Sequence, residues 1–261
     1  MKKTFLALAL MTGFQLSYAD TANPFTHVEK MIEAKNMSGA YQELDKLGKS
    51  GNAEALFHQA YLLQVGQGIK QDYSKAKTLY EQSSQKGFGR ASYTLAEHYL
   101  KGTLGLKTDT ITGKRYLETA EKQGHTMASV DLALLLLAEG NANSEKAGLA
   151  KLDALIKADN PHAQYAKAMY LINAGIQKKS EKTVQQGLDN IESLSSKGFI
   201  PALMAVATMF VQGNLVDQDL PEAKKIFTEL AKAKVPQAQE SLNQVNKMLE
   251  QQNKKNNQKK P

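Results

Sequence analysis

The chain has 261 residues and no cysteine, which excludes disulfides, thiol nucleophiles and thiolate metal ligands. Its formal net charge is +7, and six of these charges come from Lys2, Lys3 and four lysines in the last eleven residues. The body from Asp20 to Glu250 is therefore nearly neutral. This argues against nucleic-acid binding, because nucleic-acid binders carry a basic stripe on the fold itself.

The first nineteen residues have the three parts of a secretory signal peptide. Two lysines are followed by an apolar run that begins at Phe5, and residues 17–19 (Ser-Tyr-Ala) form a small-x-small cleavage site. The run is shorter than the roughly 20 apolar residues that a membrane span needs, and no later span follows. The sequence thus predicts a signal peptide at 1–19, no transmembrane segment and export to a bacterial periplasm, with secretion beyond it as the alternative.

Residues 24–52 are predicted to form an N-terminal helical hairpin that is a partial repeat. Pro24 lies near the start of its first helix, where the missing N–H does little harm. Ser38 is predicted as the N-cap of its second helix. Apolar residues follow at helical spacing on both sides of this cap: Val28, Met31, Ile32, Ala40, Tyr41, Leu44 and Leu47.

Residues 53–235 are predicted to contain five copies of one helix-turn-helix unit. The first helix of each copy begins near an alanine, at spacings of 35 to 39 residues: Ala55, Ala91, Ala128, Ala163 and Ala202. Five residues further on every copy has a second alanine, which predicts close approach of helices: Ala60, Ala96, Ala133, Ala168 and Ala207. The second helices also share a small residue at a fixed register: Ala40, Ala76, Gly113, Ala147, Gly187 and Ala223.

Four of the second helices are followed by a glycine, which takes the left-handed C-terminal conformation at little cost: Gly51, Gly87, Gly124 and Gly198. A period near 36 residues with one helix pair per unit predicts an all-α fold, an α-solenoid of stacked helix-turn-helix repeats. Stacking is required because neither helix of a pair can bury its apolar face alone.

The middle copies and the C-terminus depart from the regular pattern. The third copy replaces the turn with residues 140–144 (Gly-Asn-Ala-Asn-Ser), and the fourth carries a polar insertion at 176–182. Residues 236–250 are predicted to form a capping helix. Residues 251–261 contain only Asn, Gln, Lys and Pro and are predicted to be a disordered Lys-rich tail.

The unit at residues 53–88 resembles the SEL-like repeat (SLR), a relative of the tetratricopeptide repeat. The resemblance rests on the Gly turn at 66–68, on Asp72, on Lys75-Ala76 with Tyr80, and on the closing Lys86-Gly87. It implies a helical scaffold. Exported members of this family serve as scaffolds, as regulators of envelope signalling or as factors for host contact, and some relatives encoded beside lipase effectors look like immunity proteins. The Cys-rich members linked to β-lactams are a poor match, since this chain has no Cys.

Candidate chemistry is sparse. Glu54 and His58 lie one turn apart on one first helix, and Glu97 and His98 are adjacent on the next, so the four could converge. The competing interpretation is four solvated residues on exposed faces. The sequence predicts no enzyme, no catalytic residue, no metal and no cofactor.

The first helices supply the candidate binding residues. Two residues after the first alanine, each copy has an apolar residue, which predicts a packing position. Six residues after the same alanine, the residue type varies freely between copies. Variation inside a fixed frame suits recognition of a peptide or protein surface by adaptable side chains. The residues predicted to contact a partner on the concave face are Tyr61, Tyr93, Glu97, Leu134, Tyr165 and Met169.

Three functional hypotheses follow. The first is an exported periplasmic scaffold that binds another protein, such as an effector toxin or an envelope sensor. The second is an immunity protein that neutralises a toxic effector. The third, from a different class, is a cell-wall-glycan-binding or hydrolytic envelope protein. The Lys-rich tail is predicted to be solubilising, with weak contact to anionic lipid head groups as the alternative.

Overall fold

The computed structural model describes residues 23–258, with side chains up to Lys254. The predicted signal peptide lies outside the described residues. Within them the chain forms thirteen α-helices and no strand, which confirms the predicted all-α class. The helices are α1 Thr26–Glu33, α2 Met37–Lys49, α3 Ala53–Val65, α4 Tyr73–Gln85, α5 Gly89–Lys101, α6 Thr110–Lys122, α7 Thr126–Ala138, α8 Ala142–Lys157, α9 Pro161–Gln177, α10 Glu181–Ser196, α11 Ile200–Gln212, α12 Leu220–Lys232 and α13 Ala238–Gln258.

The helices belong to two compact units, which divide within α7 between Leu132 and Ala133. In unit 1 each helix from α1 to α6 packs against the next, and in unit 2 the same holds from α8 to α13. The solenoid of stacked helical hairpins is therefore present in each unit.

The alanines that recur in the first helices lie where the helices approach most closely. All five have 0% exposed surface: Ala60, Ala96, Ala133, Ala168 and Ala207. The glycines that follow the second helices adopt positive φ angles, as predicted: Gly51 (+100°), Gly87 (+91°), Gly124 (+83°) and Gly198 (+77°). Where the third copy lacks a glycine, Asp159 takes the same conformation, with φ at +55°.

Two local predictions are wrong. Ser38 does not cap α2, because the Asn36 side chain accepts the Gly39 N–H at 2.9 Å and Ser38 lies inside the helix. In the third copy the buried small residue of the second helix is Gly148, whereas the predicted Ala147 is exposed. A Cβ at Gly148 would lie 2.8 Å from the Ala133 carbonyl oxygen, so this position tolerates only glycine without movement.

The insertion of the fourth copy is taken up by longer helices. α9 has 17 residues and α10 has 16, where the regular copies have 13 in each. The two are joined by a tight turn at residues 178–180, in which Lys179 has a φ of +51°. The polar stretch thus extends the hairpin and leaves no long loop.

The terminal helix is longer than the sequence analysis predicts. It begins at Ala238 and continues to Gln258, through eight residues of the stretch predicted to be disordered. Residues 251–258 contain neither Gly nor Pro, and Gln and Lys have good helix propensity, so no residue stops the helix after its apolar face ends. The last three residues lie outside the described part.

Candidate functional site

Unit 1 contains a groove of about 480 Å³ along its first helices. α3 contributes Phe57 and Tyr61, α5 contributes Arg90, Tyr93 and Glu97, and Met127 comes from the start of α7. The volume lies in the range of sites that hold a small molecule or a few residues of a peptide. Its walls therefore come from three successive hairpins.

The structure brings together half of the predicted partner-binding residues. Tyr61, Tyr93 and Glu97 line the same groove, and each is partly buried. The other three belong to unit 2: Leu134 is 41% exposed, while Tyr165 and Met169 pack against the buried cluster around Ile172. The roles of all six remain predictions.

Tyr93 is held in place from two sides. Its hydroxyl donates a hydrogen bond to Asp131 Oδ2 at 2.8 Å, and its ring stacks on His125 with 4.3 Å between centroids. Burial raises the pKa of the Asp131 carboxyl, and the hydrogen bond from Tyr93 opposes that rise. Burial also raises the pKa of the Tyr93 hydroxyl, so Tyr93 stays a neutral donor at neutral pH. The groove thus has a fixed aromatic wall.

The interpretation of the two histidines as solvated residues is wrong. His58 and His98 are each only 8% exposed, because His58 packs against Phe25 and Phe57 and His98 packs against Tyr80. His98 Nδ1 shares a hydrogen bond with Thr103 Oγ1 at 2.7 Å, and burial lowers the pKa of this imidazole below 6.5. His98 is therefore neutral at pH 7.

The four residues that could have formed a metal or catalytic cluster do not do so. Glu54 lies 3.6 Å from His58 Nε2, whereas Glu97 pairs with Lys101 one turn further along α5. Across residues 23–258 no three His, Asp or Glu side chains are placed to hold a metal ion. Tyr93, Glu97 and the Nδ1 atom of His98 are instead each engaged with a partner from the protein.

Arg90 is one of the groove residues that the sequence does not predict. Its guanidinium lies 5.2 Å from the centroid of the Phe57 ring, and its charge lowers the pKa of His125 in addition to the effect of burial. Within the described residues it forms no ion pair and no hydrogen bond through its side chain. One signal was available: the chain has 33 basic residues, and only Arg90 and Arg115 are arginines.

Comparison with protein families identifies the repeat. The family model described as Sel1 repeat matches residues 53–88, 89–125 and 200–234. These are the first, second and fifth of the predicted copies, in which both helices have 13 residues. The two copies with longer second helices lie outside the match. The groove lies within the two adjacent matched copies and the turn and helix start that follow.

Known proteins share the fold over most of the chain. A Sel1 repeat protein from Oxalobacter formigenes aligns at TM-score 0.61 and 19% identity, over 85% of this chain and 87% of that one. A protective antigen of uropathogenic Escherichia coli with an SLR fold aligns at TM-score 0.57 and 21% identity, over 80% of this chain and 44% of that one. Chitin synthase regulatory factor 3 of Schizosaccharomyces pombe is 30% identical over 88 residues, which are 34% of this chain and only 9% of that protein.

Proposed function

This chain belongs to the Sel1-like repeat proteins, whose repeats are scaffolds for protein–protein interaction, and we propose that it binds an extended segment of another protein in the groove of unit 1. The observation that carries the proposal is the wall of partly buried Tyr61, Tyr93 and Met127 in front of a closed core of alanine and leucine. Tyrosine and methionine offer large, adaptable contact area, and both are enriched at protein interfaces.

The groove is proposed to act without catalysis. A general base or nucleophile needs a partner that activates it and a free side directed at the substrate. Tyr93 instead donates to Asp131, His98 shares its Nδ1 hydrogen bond with Thr103, and Glu97 pairs with Lys101. These bonds hold the wall of the groove rigid, which lowers the entropic cost of binding a segment.

The protein is further proposed to work in a bacterial periplasm, exported by the signal peptide at residues 1–19. In the described part of the chain, no helix combines the length and the apolar character needed to cross a membrane. Mass spectrometry of the protein from a periplasmic fraction tests this. A mature N-terminus at Asp20 is expected, and an intact Met1 in the cytoplasm would contradict export.

Site-specific photocrosslinking tests the proposed groove. A photoreactive phenylalanine at Thr94, which lines the groove, should crosslink one defined protein in living cells. The same residue at Thr78, which is exposed on α4 outside the groove, is the matched control and should not. Tyr61→Ala should abolish the product, whereas Tyr73→Ala, a 43% exposed tyrosine outside the groove, should leave it unchanged.

The identity of the crosslinked product separates the hypotheses. A toxic effector whose activity falls on binding would assign an immunity role, and an envelope sensor would assign regulation. Retention of the purified protein on peptidoglycan sacculi, weakened by Tyr61→Ala, would instead identify a glycan-binding groove. In that case the protein-binding proposal fails.

A further inference from the structure

The groove carries one uncompensated charge among its described residues. Glu97 and Lys101 are paired on α5, and the lowered pKa values of His98 and His125 keep both imidazoles neutral at pH 7. Arg90 is exposed, its guanidinium lies over the Phe57 ring, and its side chain forms no ion pair or hydrogen bond with the described residues. A protein partner that fills this groove must therefore meet a positive charge that the chain itself does not neutralise.

Two open donors lie on this side of the groove. The planar guanidinium of Arg90 offers five N–H donors, and a carboxylate can accept two of them in parallel. The Tyr61 side chain lines the same groove as Arg90, and its hydroxyl forms no hydrogen bond within the described residues. Burial raises the pKa of this hydroxyl, and the Arg90 charge opposes that rise. The Phe57 ring attracts the guanidinium from 5.2 Å and accepts none of its hydrogen bonds in the described structure, so the N–H donors stay available.

We propose that Arg90 binds the carboxylate of an Asp or Glu side chain within the partner segment, with the Tyr61 hydroxyl as a further donor. This inference rests on the proposed function and names the chemistry of the occupant. Glu97 lies seven residues further along α5, about 10 Å from Arg90 at 1.5 Å per residue. Because Glu97 and Lys101 neutralise each other there, the groove offers no second free cation, so it should select one acid and not an acidic run.

The position of Arg90 favours a side chain over a chain terminus. Arg90 lies on α5, the middle of the three successive first helices that line the groove. Phe57 of α3 and Met127 of α7 line it on either side of α5, so the groove continues past the helix that carries Arg90 in both directions. A C-terminal carboxylate held at Arg90 would leave one half of the groove empty, whereas an internal acid lets the segment cover both halves.

Selection of peptides tests the inference without knowledge of the partner. A random peptide library, displayed on phage with each C-terminus fused to the coat protein, is selected on the mature full-length protein. The selected peptides are then synthesised with C-terminal amides and their affinities measured by fluorescence polarisation. We expect one Asp or Glu at a constant position, next to an apolar residue.

The variants separate this inference from the proposed function. Arg90→Gln should weaken the peptides about ten- to a hundredfold, the range for loss of a charge-assisted hydrogen-bonded pair. Replacement of the Asp or Glu in the peptide by Asn or Gln should weaken binding by the same factor. The two changes together should weaken binding no more than either one alone. Arg115→Gln is the matched control, because Arg115 also lies over an aromatic ring, that of Tyr116, but outside the groove.

Each outcome decides the question. If Tyr61→Ala abolishes binding but Arg90→Gln does not, the groove binds segments and the carboxylate inference is wrong. If the amidated peptides fail to bind and the same peptides made with a free C-terminal carboxylate bind, the inference is also wrong. If neither substitution matters, or if no peptide is selected, the proposed function fails and the inference fails with it.

Discussion

Glycines on the second helices set how closely two helices of a hairpin approach, and one of them allows a quantitative prediction. Gly187 lies in the interior of α10 and faces α9. A Cβ there would lie 2.7 Å from the Ala168 carbonyl oxygen, 0.7 Å short of the 3.4 Å at which ordinary contact begins, and 3.0 Å from the Ile172 nitrogen. Both atoms belong to the backbone, so the clash cannot be relieved by a side-chain rotation.

Gly187→Ala is therefore expected to destabilise unit 2. Overpacking of a close helix contact costs about 1–3 kcal/mol. Against this, alanine is the better helix former by about 0.8–1.0 kcal/mol in a helix interior. Subtraction of the propensity gain leaves a net loss of about 0–2 kcal/mol. The upper part of this range is expected, because two backbone atoms of α9 must move away together.

Urea unfolding followed by circular dichroism measures this loss as a lower midpoint. The chain supplies its own matched variant in Gly113→Ala, where the nearest backbone atom is 3.4 Å away and the close atoms, at 2.6 Å and 2.7 Å, belong to the flexible Leu100 side chain. Gly113→Ala should cost less than Gly187→Ala. A Gly187→Ala protein as stable as the wild type, or more stable, would refute the reasoning, since only the helix propensity would then be visible.

Three further predictions concern the polar groups of unit 1. Ser92→Ala removes the fully buried hydroxyl that donates to Gln123 Oε1 at 2.6 Å, and should lower the free energy of unfolding by about 1–3 kcal/mol in urea titrations. Burial lowers the pKa of His98, so the buried neutral imidazole contributes its full stability above pH 6.5, and this contribution is lost as the pH falls towards the folded-state pKa. Thermal melts should therefore show a lower melting temperature on acidification, and a smaller decrease in His98→Gln. Tyr93→Phe removes the hydrogen bond that holds down the pKa of Asp131, so that pKa should rise further in an NMR titration.

Each of these three predictions has an outcome that would contradict it. Exposed Ser193 is the control for Ser92, and an equal, small effect of both alanine substitutions would mean that the buried hydroxyl contributes nothing. A melting temperature independent of pH across the histidine range would contradict the burial of neutral His98. An unchanged or lower pKa of Asp131 in Tyr93→Phe would mean that the tyrosine does not stabilise the charged carboxylate.

The features of the fold that recur in every repeat can be predicted from the sequence, because the same contact appears once per period. The five buried alanines and the positive-φ glycines are of this kind, since one packing geometry imposes the same small residue on every copy. A position is harder to predict where a neighbouring residue of similar type could take the same role. Asn36 replaces Ser38 as a cap, and Gly148 replaces Ala147, because neighbouring residues of similar type could fill the same role.

The candidate site could be predicted only in part, for a different reason. Its defining contacts join neighbouring hairpins through residues that occur once, such as the hydrogen bond from Tyr93 to Asp131 across 38 positions. A repeat pattern states which helices are neighbours but not which single side chains meet between them. The burial of His58 and His98 has the same origin, since His58 contacts the ring of Phe25, just before α1, and His98 contacts the ring of Tyr80 on α4.

The sequence nevertheless contains a signal for Arg90, because the face of each first helix that is predicted to contact a partner has three positions, which form a stripe along the helix. On α5 these are Arg90, Tyr93 and Glu97, at i, i+3 and i+7, which at about 100° per residue fall on one face of a helix. The added position precedes the first alanine of each copy, and the residues there are all different: Glu54, Arg90, Met127, His162 and Pro201. The position therefore varies as freely as the one that ends the stripe, while the alanine beside it stays constant and buried. Since a scaffold can change partners only where packing does not fix the residue, we propose that specificity is set at this first position as well as at the last, and that the Arg90 charge governs which segments the groove of unit 1 accepts.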